Sequence, residues 1–155
     1  MTRHRTFFFC WTLALGLQVA GGCSSSPSGP KCYPVAGTVR YNGKPIHRAI
    51  VTFHPVPVDP KALRQVRPQA GVQEDGSYRL NSYGLNDGAE PGEYAVTVIW
   101  TSEAGGADYF SDRFRNPTNP VLKFTVVAGE NNVPAIELKG PPIKNGKAVI
   151  DGSLD

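Results

Sequence analysis

Short runs of alternating apolar and polar residues, separated by turn-forming residues, restrict the fold of this chain more than any other feature. Side chains of a strand alternate between two faces, so each run predicts a half-buried strand. The chain also has 17 glycines and 14 prolines in 155 residues, which disfavours helices. We therefore expect an all-β fold. The apolar residues of the two clearest runs are Tyr33, Val35, Val39 and Tyr41, and then Tyr94, Val96, Val98 and Trp100.

Further runs and the turns between them complete this pattern. Asn42-Gly43 predicts a tight hairpin, because both residues tolerate positive φ, and residues 74–76 (Glu-Asp-Gly) predict a second one. The proline-rich stretch 55–68 predicts a connection rather than a central strand. About seven short strands indicate a single β-sandwich, although alternation alone also fits a small barrel. The other apolar strand positions are Ala49, Val51, Phe53, Tyr78, Leu80, Leu122, Phe124, Val126, Ile136 and Leu138.

The N-terminal segment has the organisation of a secretory signal peptide. A cationic stretch at 3–5 precedes an apolar run at 6–20, and small residues at 20–22 come directly before Cys23. This arrangement resembles a bacterial lipobox, apart from Ala20 where the lipobox usually has leucine. The resemblance implies that Cys23 is lipidated and becomes the first mature residue. An ordinary signal peptide is the alternative, whereas an uncleaved anchor is disfavoured because spanning a bilayer takes about 20 apolar residues.

The chain therefore divides into a signal peptide (1–22), a lipidated cysteine with a flexible Ser/Pro/Gly-rich tether (23–32), a β-sandwich domain (33–139) and a peripheral tail (140–155). Lipidation implies an extracytoplasmic protein anchored to a bacterial membrane. By analogy with Gram-negative sorting, Ser24 favours the outer membrane. Loss of the two arginines of the signal lowers the formal charge from +3 to about +1, so a nucleic-acid partner is not expected.

Four blocks between residues 33 and 139 resemble the transthyretin-like, carboxypeptidase-regulatory-like domains found in planctomycete-type envelope lipoproteins. The blocks are YPVAGTVRYNGKPIHRAIVTFHP, EDGSYRL, DGAEPGEYAVTVIW and DRFRNPTNPVLKFTVVAGENNVPAIELK. The resemblance implies a Greek-key β-sandwich of the transthyretin (prealbumin) type. Its most specific part is residues 91–94 (Pro-Gly-Glu-Tyr) with Asp87-Gly88 upstream. Tyr94 there suits a tyrosine corner, with its ring in the core and its hydroxyl on a nearby backbone group.

Catalytic residues are harder to find. Transthyretin-like folds include hydroxyisourate hydrolases, but the C-terminal Tyr-Arg-Gly-Ser element of that family is absent, as is a Gly-x-Ser-x-Gly elbow. His47 and His54 are seven residues apart, and on an uninterrupted strand they would face opposite sides. We expect surface or edge histidines with no shared metal. Enzymatic activity as a small hydrolase therefore ranks third among the candidate functions.

Carboxylates and the remaining cysteine also point to structural roles. Asp75 and Asp87 lie in turns and are expected to accept backbone hydrogen bonds, because no loop has the acidic spacing of a calcium site. Cys32 has no histidine nearby in sequence and no intradomain cysteine partner, so we assign it no specific role. No catalytic residue, metal or cofactor is expected.

One segment remains a candidate for recognition. Residues 101–120 lack regular alternation, and a loop of this length inside a small domain is often functional. Its candidate contact residues are Tyr109, Phe110, Arg113 and Arg115. The alternative is a lid, in which Phe110 and Phe114 close the end of the sandwich. The sequence thus favours a non-catalytic, lipid-anchored structural or interaction module of the cell envelope, with binding of an envelope protein, polysaccharide or peptide by this loop as the alternative.

Overall fold

The computed structural model describes residues 30–58, 65–101 and 107–141, together with the backbone at 143–144 and 147–148. The expected signal peptide, Cys23 and the tether up to residue 29 lie outside the described residues. The strands are β1 (Val35–Tyr41), β2 (Lys44–Pro45), β3 (Ala49–Val56), β4 (Gln69–Gly71), β5 (Ser77–Arg79), β6 (Gly92–Trp100), β7 (Leu122–Val126), β8 (Asn131–Asn132), β9 (Ile136–Leu138), β10 (Ile143–Lys144) and β11 (Lys147–Ala148).

Two sheets form the body of the protein. In the first, β1 is central: β2 and β5 pair with it antiparallel, and β8 and β9 pair with it parallel. The second is a four-stranded antiparallel sheet in the order β4-β3-β6-β7. This arrangement is consistent with a β-sandwich and confirms the expected all-β class. Within the described ranges, no helix is long and apolar enough to cross a bilayer.

The core lies between the two sheets and is formed by the alternating residues that the sequence indicates. From the first sheet, Val39 and Tyr78 are fully buried, and Phe53 and Val96 meet them from the second. The ring centroids of Phe53 and Tyr94 are 5.7 Å apart in a tilted arrangement. The other buried core residues on strands are Val35, Ala49, Val51, Ala70, Val98, Val126, Ile136 and Leu138.

Some details differ from the expected pattern. The two sheets contain nine strands rather than about seven, because two-residue strands extend the first sheet. Pro134, which has no backbone N–H, lies between β8 and β9. In the middle of β6, Ala95 and Thr97 are buried as well as Val96, so both faces of this strand are covered. Phe124 is only half-buried.

Both predicted turns are present, but only the first joins two strands that pair with each other. Asn42 and Gly43 have φ of 50° and 75°, and they close a hairpin in which Tyr41 pairs with Lys44. Gly76 also has positive φ, yet β4 and β5 on either side of that turn belong to different sheets. That turn therefore carries the chain from one sheet to the other. A bridge between Gln69 and Asn81 links the sheets along this edge.

The C-terminal tail is partly described. β10 and β11 pair antiparallel with each other in a two-stranded sheet. Residues 142, 145–146 and 149–155, and the side chains of residues 143–144 and 147–148, lie outside the described part of the chain.

Candidate functional site

The sandwich has two ends with different loops. We call the end formed by Tyr33, Ala89 and Gly92 the tether end, because Tyr33 is where the N-terminal segment joins the sheets. The opposite end, formed by Tyr41 and Trp100, is called the far end. The predicted binding loop covers the far end, and the part of it described is 107–120 together with Thr101.

Asp108 organises the loop at the far end. Its Oδ1 accepts hydrogen bonds from the backbone N–H groups of Trp100 (3.3 Å) and Phe110 (3.2 Å), and its Oδ2 accepts one from Asp112 (3.0 Å). Ser111 and Asp112 have φ of 46° and 64°, so the chain turns back sharply here. This turn directs the Phe110 ring inward. Sequence analysis did not single out Asp108.

Most of the aromatic surface of this loop is used for packing. Phe110 is only 1% exposed. The centroid of its ring lies 4.8 Å from the ring centroid of Phe114 and 5.7 Å from that of Tyr41. Tyr109 is half-buried, with its ring 4.8 Å from that of Trp100. Burial of the Phe110 ring leaves it no surface for a ligand. These contacts favour the lid over the binding loop for the aromatic residues.

The two arginines of the loop are exposed. The Arg113 guanidinium lies 5.9 Å from the Phe110 ring centroid and 6.0 Å from that of Phe114. Arg115 forms an exposed ion pair with Asp112, with 3.1 Å between Nη1 and Oδ1. Surface pairs of this kind contribute little to stability. Of the four candidate contact residues, the two arginines are therefore the ones exposed enough to meet a partner.

The two histidines are separated by structure as well as by sequence. His54 lies on the central strand β3 rather than at an edge, and its Nε2 hydrogen-bonds with Thr97 Oγ1 at 2.9 Å. Partial burial, with a smaller effect from Arg67, lowers the pKa of His54. His47 is exposed and precedes β3, and Arg48 beside it has a φ of 59°. His47 thus lies outside the strand that carries His54. The described residues hold no group of three or more potential metal ligands from His, Cys, Asp and Glu.

Cys32 is a free, half-buried thiol at the tether end. Burial and the charges of Asp87 and Glu90 raise its pKa, and the opposing hydrogen bond with Ser82 does not reverse this. Since the thiolate is the reactive form, this environment makes Cys32 a weak nucleophile.

Asp87 fixes the β5–β6 connection. Its carboxylate accepts backbone hydrogen bonds from Ser82 (2.7 Å), Tyr83 (2.9 Å) and Gly84 (2.8 Å). Partial burial opposes its ionisation, but these hydrogen bonds outweigh that effect and lower the pKa of Asp87. Gly88, next in the chain, has a φ of 84° and packs against the Tyr33 carbonyl, where a Cβ would overlap. The predicted turn-forming role of Asp87 is confirmed.

The structure adds a groove at the tether end. Its volume is about 300 Å³, and Val56, Tyr83, Glu90 and Glu93 are among its lining residues. Tyr83 donates its hydroxyl hydrogen bond to Glu90 Oε1, which raises the pKa of Tyr83 to about 12. These residues come from the end of β3, from the β5–β6 connection and from β6, so spacing along the chain gave no signal for the groove.

A second groove, of about 370 Å³, lies beside the edge where β4 and β5 diverge. Gln73, Arg79, Asn81 and Asn86 supply polar groups to it, with Leu85 at its rim. Amide and guanidinium groups of this kind suit hydrogen bonding to hydroxyls or peptide groups.

The fold and these surfaces define a class: an all-β, two-sheet domain whose loops are fixed by carboxylate–backbone hydrogen bonds. No family model matches the chain, and no curated protein matches it. Among solved structures, the chain is similar to a DUF3823 family protein from Parabacteroides merdae, at 16% identity and a TM-score of 0.39. The aligned region covers 68% of this chain and 44% of that chain, so this protein spans less than half the length of its structural neighbour.

Proposed function

We propose that this protein is a non-catalytic module of the bacterial cell envelope, anchored through lipidated Cys23 to a membrane, the outer membrane by preference. In this proposal its domain is a Greek-key sandwich of the transthyretin-like, carboxypeptidase-regulatory-like type, and it serves as a structural or interaction unit.

One observation carries the non-catalytic part of this proposal: the titratable side chains that sequence patterns single out are engaged in structural contacts. Asp87 accepts three backbone hydrogen bonds, and His54 contacts Thr97 with its pKa lowered by burial. The raised pKa of Cys32 disfavours its thiolate. A general base or nucleophile needs a free, correctly protonated group that a substrate can reach. These groups instead stabilise the loops and the sheet.

The anchor is supported by the sequence of the first 30 residues. A signal-like segment, small residues and Cys23 come before a Ser/Pro/Gly-rich stretch. Such a stretch acts as a flexible spacer between an anchor and a folded domain. Two or more acyl chains on one cysteine would hold the protein stably at the bilayer.

Fractionation of cells that express the full chain tests the anchor. The wild type should partition into the detergent phase and co-sediment with outer membranes. Cys23→Ala should shift it to the soluble or unprocessed fraction, whereas the matched control Cys32→Ala should leave it in the membrane. A mature N-terminus with an unmodified Cys23, seen by mass spectrometry, would contradict the proposal.

The interaction role can be tested by cross-linking the anchored protein in intact cells. The His47→Ala, His54→Ala double variant should keep its cross-linked partners, because neither histidine is assigned to recognition or catalysis. Stoichiometric zinc that is bound by the wild type and lost in this variant would argue for an enzyme.

A second candidate function is recognition of an envelope polysaccharide or peptide by the far-end loop. The observation in its favour is the exposure of Arg113 and Arg115 beside the half-buried Tyr109. Co-sedimentation with isolated envelope polysaccharide should then fall in an Arg113→Gln, Arg115→Gln variant. A Lys123→Gln control, which removes an exposed positive charge on β7, should bind as the wild type does. Equal binding by all three proteins would rule out this loop as the site.

A further inference from the structure

The N-terminal segment leaves the sandwich at a defined place. Tyr33 exchanges two backbone hydrogen bonds with Ala89, at 2.8 and 3.0 Å, and this bridge fixes the start of the domain at the tether end. Cys23 lies seven residues before Pro30, the first described residue. A fully extended chain spans about 3.3–3.6 Å per residue, so this stretch reaches at most about 25 Å. An anchor at Cys23 would thus keep the tether end close to the lipid surface.

Exposed apolar side chains are concentrated at the same end. Of the six large hydrophobic residues that are exposed in the described ranges, only Ile50 lies elsewhere, on β3 opposite Ile99. The other five are at the tether end. Val56 ends β3 opposite Glu93, with Val58 two residues later, and Val127 follows Val126, which pairs with Gly92. Tyr83 and Leu85 lie in the connection that leads from β5 to Ala89, beside Tyr33. These five residues are Val56, Val58, Tyr83, Leu85 and Val127.

The most exposed of these side chains is held by a loop whose backbone is fixed by hydrogen bonds. Leu85 is 86% exposed and sits within the turn that Asp87 fixes through its three backbone hydrogen bonds. Ser82 adds a hydrogen bond from Oγ to the carbonyl oxygen of Gly88 at 2.6 Å. Because the backbone is already fixed, burying Leu85 against a partner costs little additional conformational entropy.

We propose that the tether end rests on the lipid bilayer that holds Cys23, with Leu85, Val58 and Val127 entering the boundary between headgroups and acyl chains. This inference rests on the lipid anchor proposed above. Tyr83 suits the same depth, since tyrosine is enriched at membrane interfaces, where its ring is apolar and its hydroxyl stays wet.

The charged side chains at the tether end determine which kind of lipid headgroup it can contact. Glu90, Glu93 and Glu130 place carboxylates at this end, and the Lys31 ammonium lies 5.2 Å from the ring centroid of Tyr33. Because both signs of charge are present, apolar burial rather than net charge drives the contact, and zwitterionic headgroups are the better match.

Tryptophan fluorescence of the mature lipoprotein, reconstituted in phosphatidylcholine vesicles with brominated acyl chains, tests the contact. Trp11 leaves with the expected signal peptide, so Trp100 at the far end is the only native tryptophan and gives the baseline. In Leu85→Trp, the added emission should shift to shorter wavelength and be quenched by bromine. The matched control Ile50→Trp, exposed to 44% but away from the tether end, should not be quenched.

The outcomes separate this inference from the anchor. Wild-type protein that fails to float with the vesicles would refute the anchor. Flotation with equal quenching of Leu85→Trp and Ile50→Trp would overturn the bilayer contact and leave the anchor intact. Cross-links between two copies through the tether end, without quenching, would also overturn it, in favour of a second copy as the occupant.

Discussion

The phenol of Tyr94 donates a hydrogen bond to the carbonyl oxygen of Glu90, four residues earlier, at 2.9 Å. The Tyr94 ring packs in the core against Phe53, so this one side chain joins the start of β6 to the connection before it. Burial, with the nearby charge of Glu90, raises the pKa of Tyr94 to about 12. The hydroxyl therefore stays protonated and able to donate over the whole physiological range. This contact confirms the tyrosine-corner interpretation of the Pro-Gly-Glu-Tyr motif.

Tyr94→Phe should lower the free energy of unfolding by about 1–2 kcal/mol, because it leaves a part-buried carbonyl without its donor. Tyr83→Phe is the matched control, since Tyr83 donates to the side chain of the same Glu90 on the surface. Tyr83→Phe should lower the free energy of unfolding by less than about 0.5 kcal/mol. Urea denaturation measures both, and equal effects would contradict a structural role for the corner.

Tyr78→Phe, unlike Tyr94→Phe, should not lower the free energy of unfolding. Tyr78 is 1% exposed, and its hydroxyl has no hydrogen-bond partner among the described residues. Removing a buried, unpaired hydroxyl relieves a desolvation penalty of about 1–3 kcal/mol, so the variant should be as stable as the wild type or more so. A loss of more than about 1 kcal/mol in the same denaturation assay would reveal a partner for this hydroxyl.

Gly88→Ala should be among the most damaging single changes in the domain. A side chain at this positive φ costs about 1–2 kcal/mol. Overlap of the new Cβ with the Tyr33 carbonyl adds about 1–3 kcal/mol, so the total loss of unfolding free energy should be about 2–5 kcal/mol.

Gly43→Ala is the matched control for Gly88→Ala. Gly43 has a φ of 75°, close to the 84° of Gly88, but its Cβ would meet nothing within 4 Å. Gly43→Ala should therefore lose only the part of the free energy of unfolding that comes from placing a side chain at positive φ. Similar melting temperatures for the two variants would mean that the approach of Gly88 to Tyr33 is not tight.

Stability should fall as the pH drops below 6.5, the ordinary pKa of histidine, because of His54. Its pKa in the folded protein lies below the ordinary value of 6.5, so the unfolded chain takes up the proton first. The stabilisation is therefore complete above about pH 6.5 and is lost as the pH falls towards the lowered folded pKa. Asp75 and Asp87 also have lowered pKa values, starting from 3.8, and titrate in a more acidic range.

His54→Gln should flatten this part of the stability profile, measured as the free energy of unfolding at several pH values. His47→Gln, at an exposed position, should leave the profile as in the wild type. If the free energy of unfolding of His54→Gln falls as much over this pH range as that of the wild type, groups other than His54 cause the decrease.

Removal of the tail should change stability little. β10 and β11 pair with each other, and Gly140, which accepts a hydrogen bond from the Tyr41 hydroxyl at 3.2 Å, is kept in a chain ending at Pro141. The melting temperature of that chain should stay within a few degrees of the full-length value. A drop of ten degrees or more would place the tail in the core.

Sequence patterns predicted the strands and their buried faces well. Val51, Phe53, Val96 and Leu138 are buried as the alternation indicates, because the period of two is a property of the extended chain itself. The turn roles of Asn42-Gly43 and of Asp87 were also predictable, since positive φ and side-chain acceptance of backbone N–H groups depend on a few adjacent residues.

Tertiary structure decided the rest. The 74–76 turn was predicted, but whether β4 and β5 would share a sheet depended on partners far along the chain, β3 and β1. For Phe110 the sequence left two alternatives, a contact residue of a loop or part of a lid, and only packing against Tyr41 and Phe114 placed it in the core. The exposure of Leu85, Val127 and Val58 likewise has no local signal. Periodicity and turn chemistry act between neighbours in sequence, whereas sheet membership and surface composition follow from contacts that close only when the whole chain has folded.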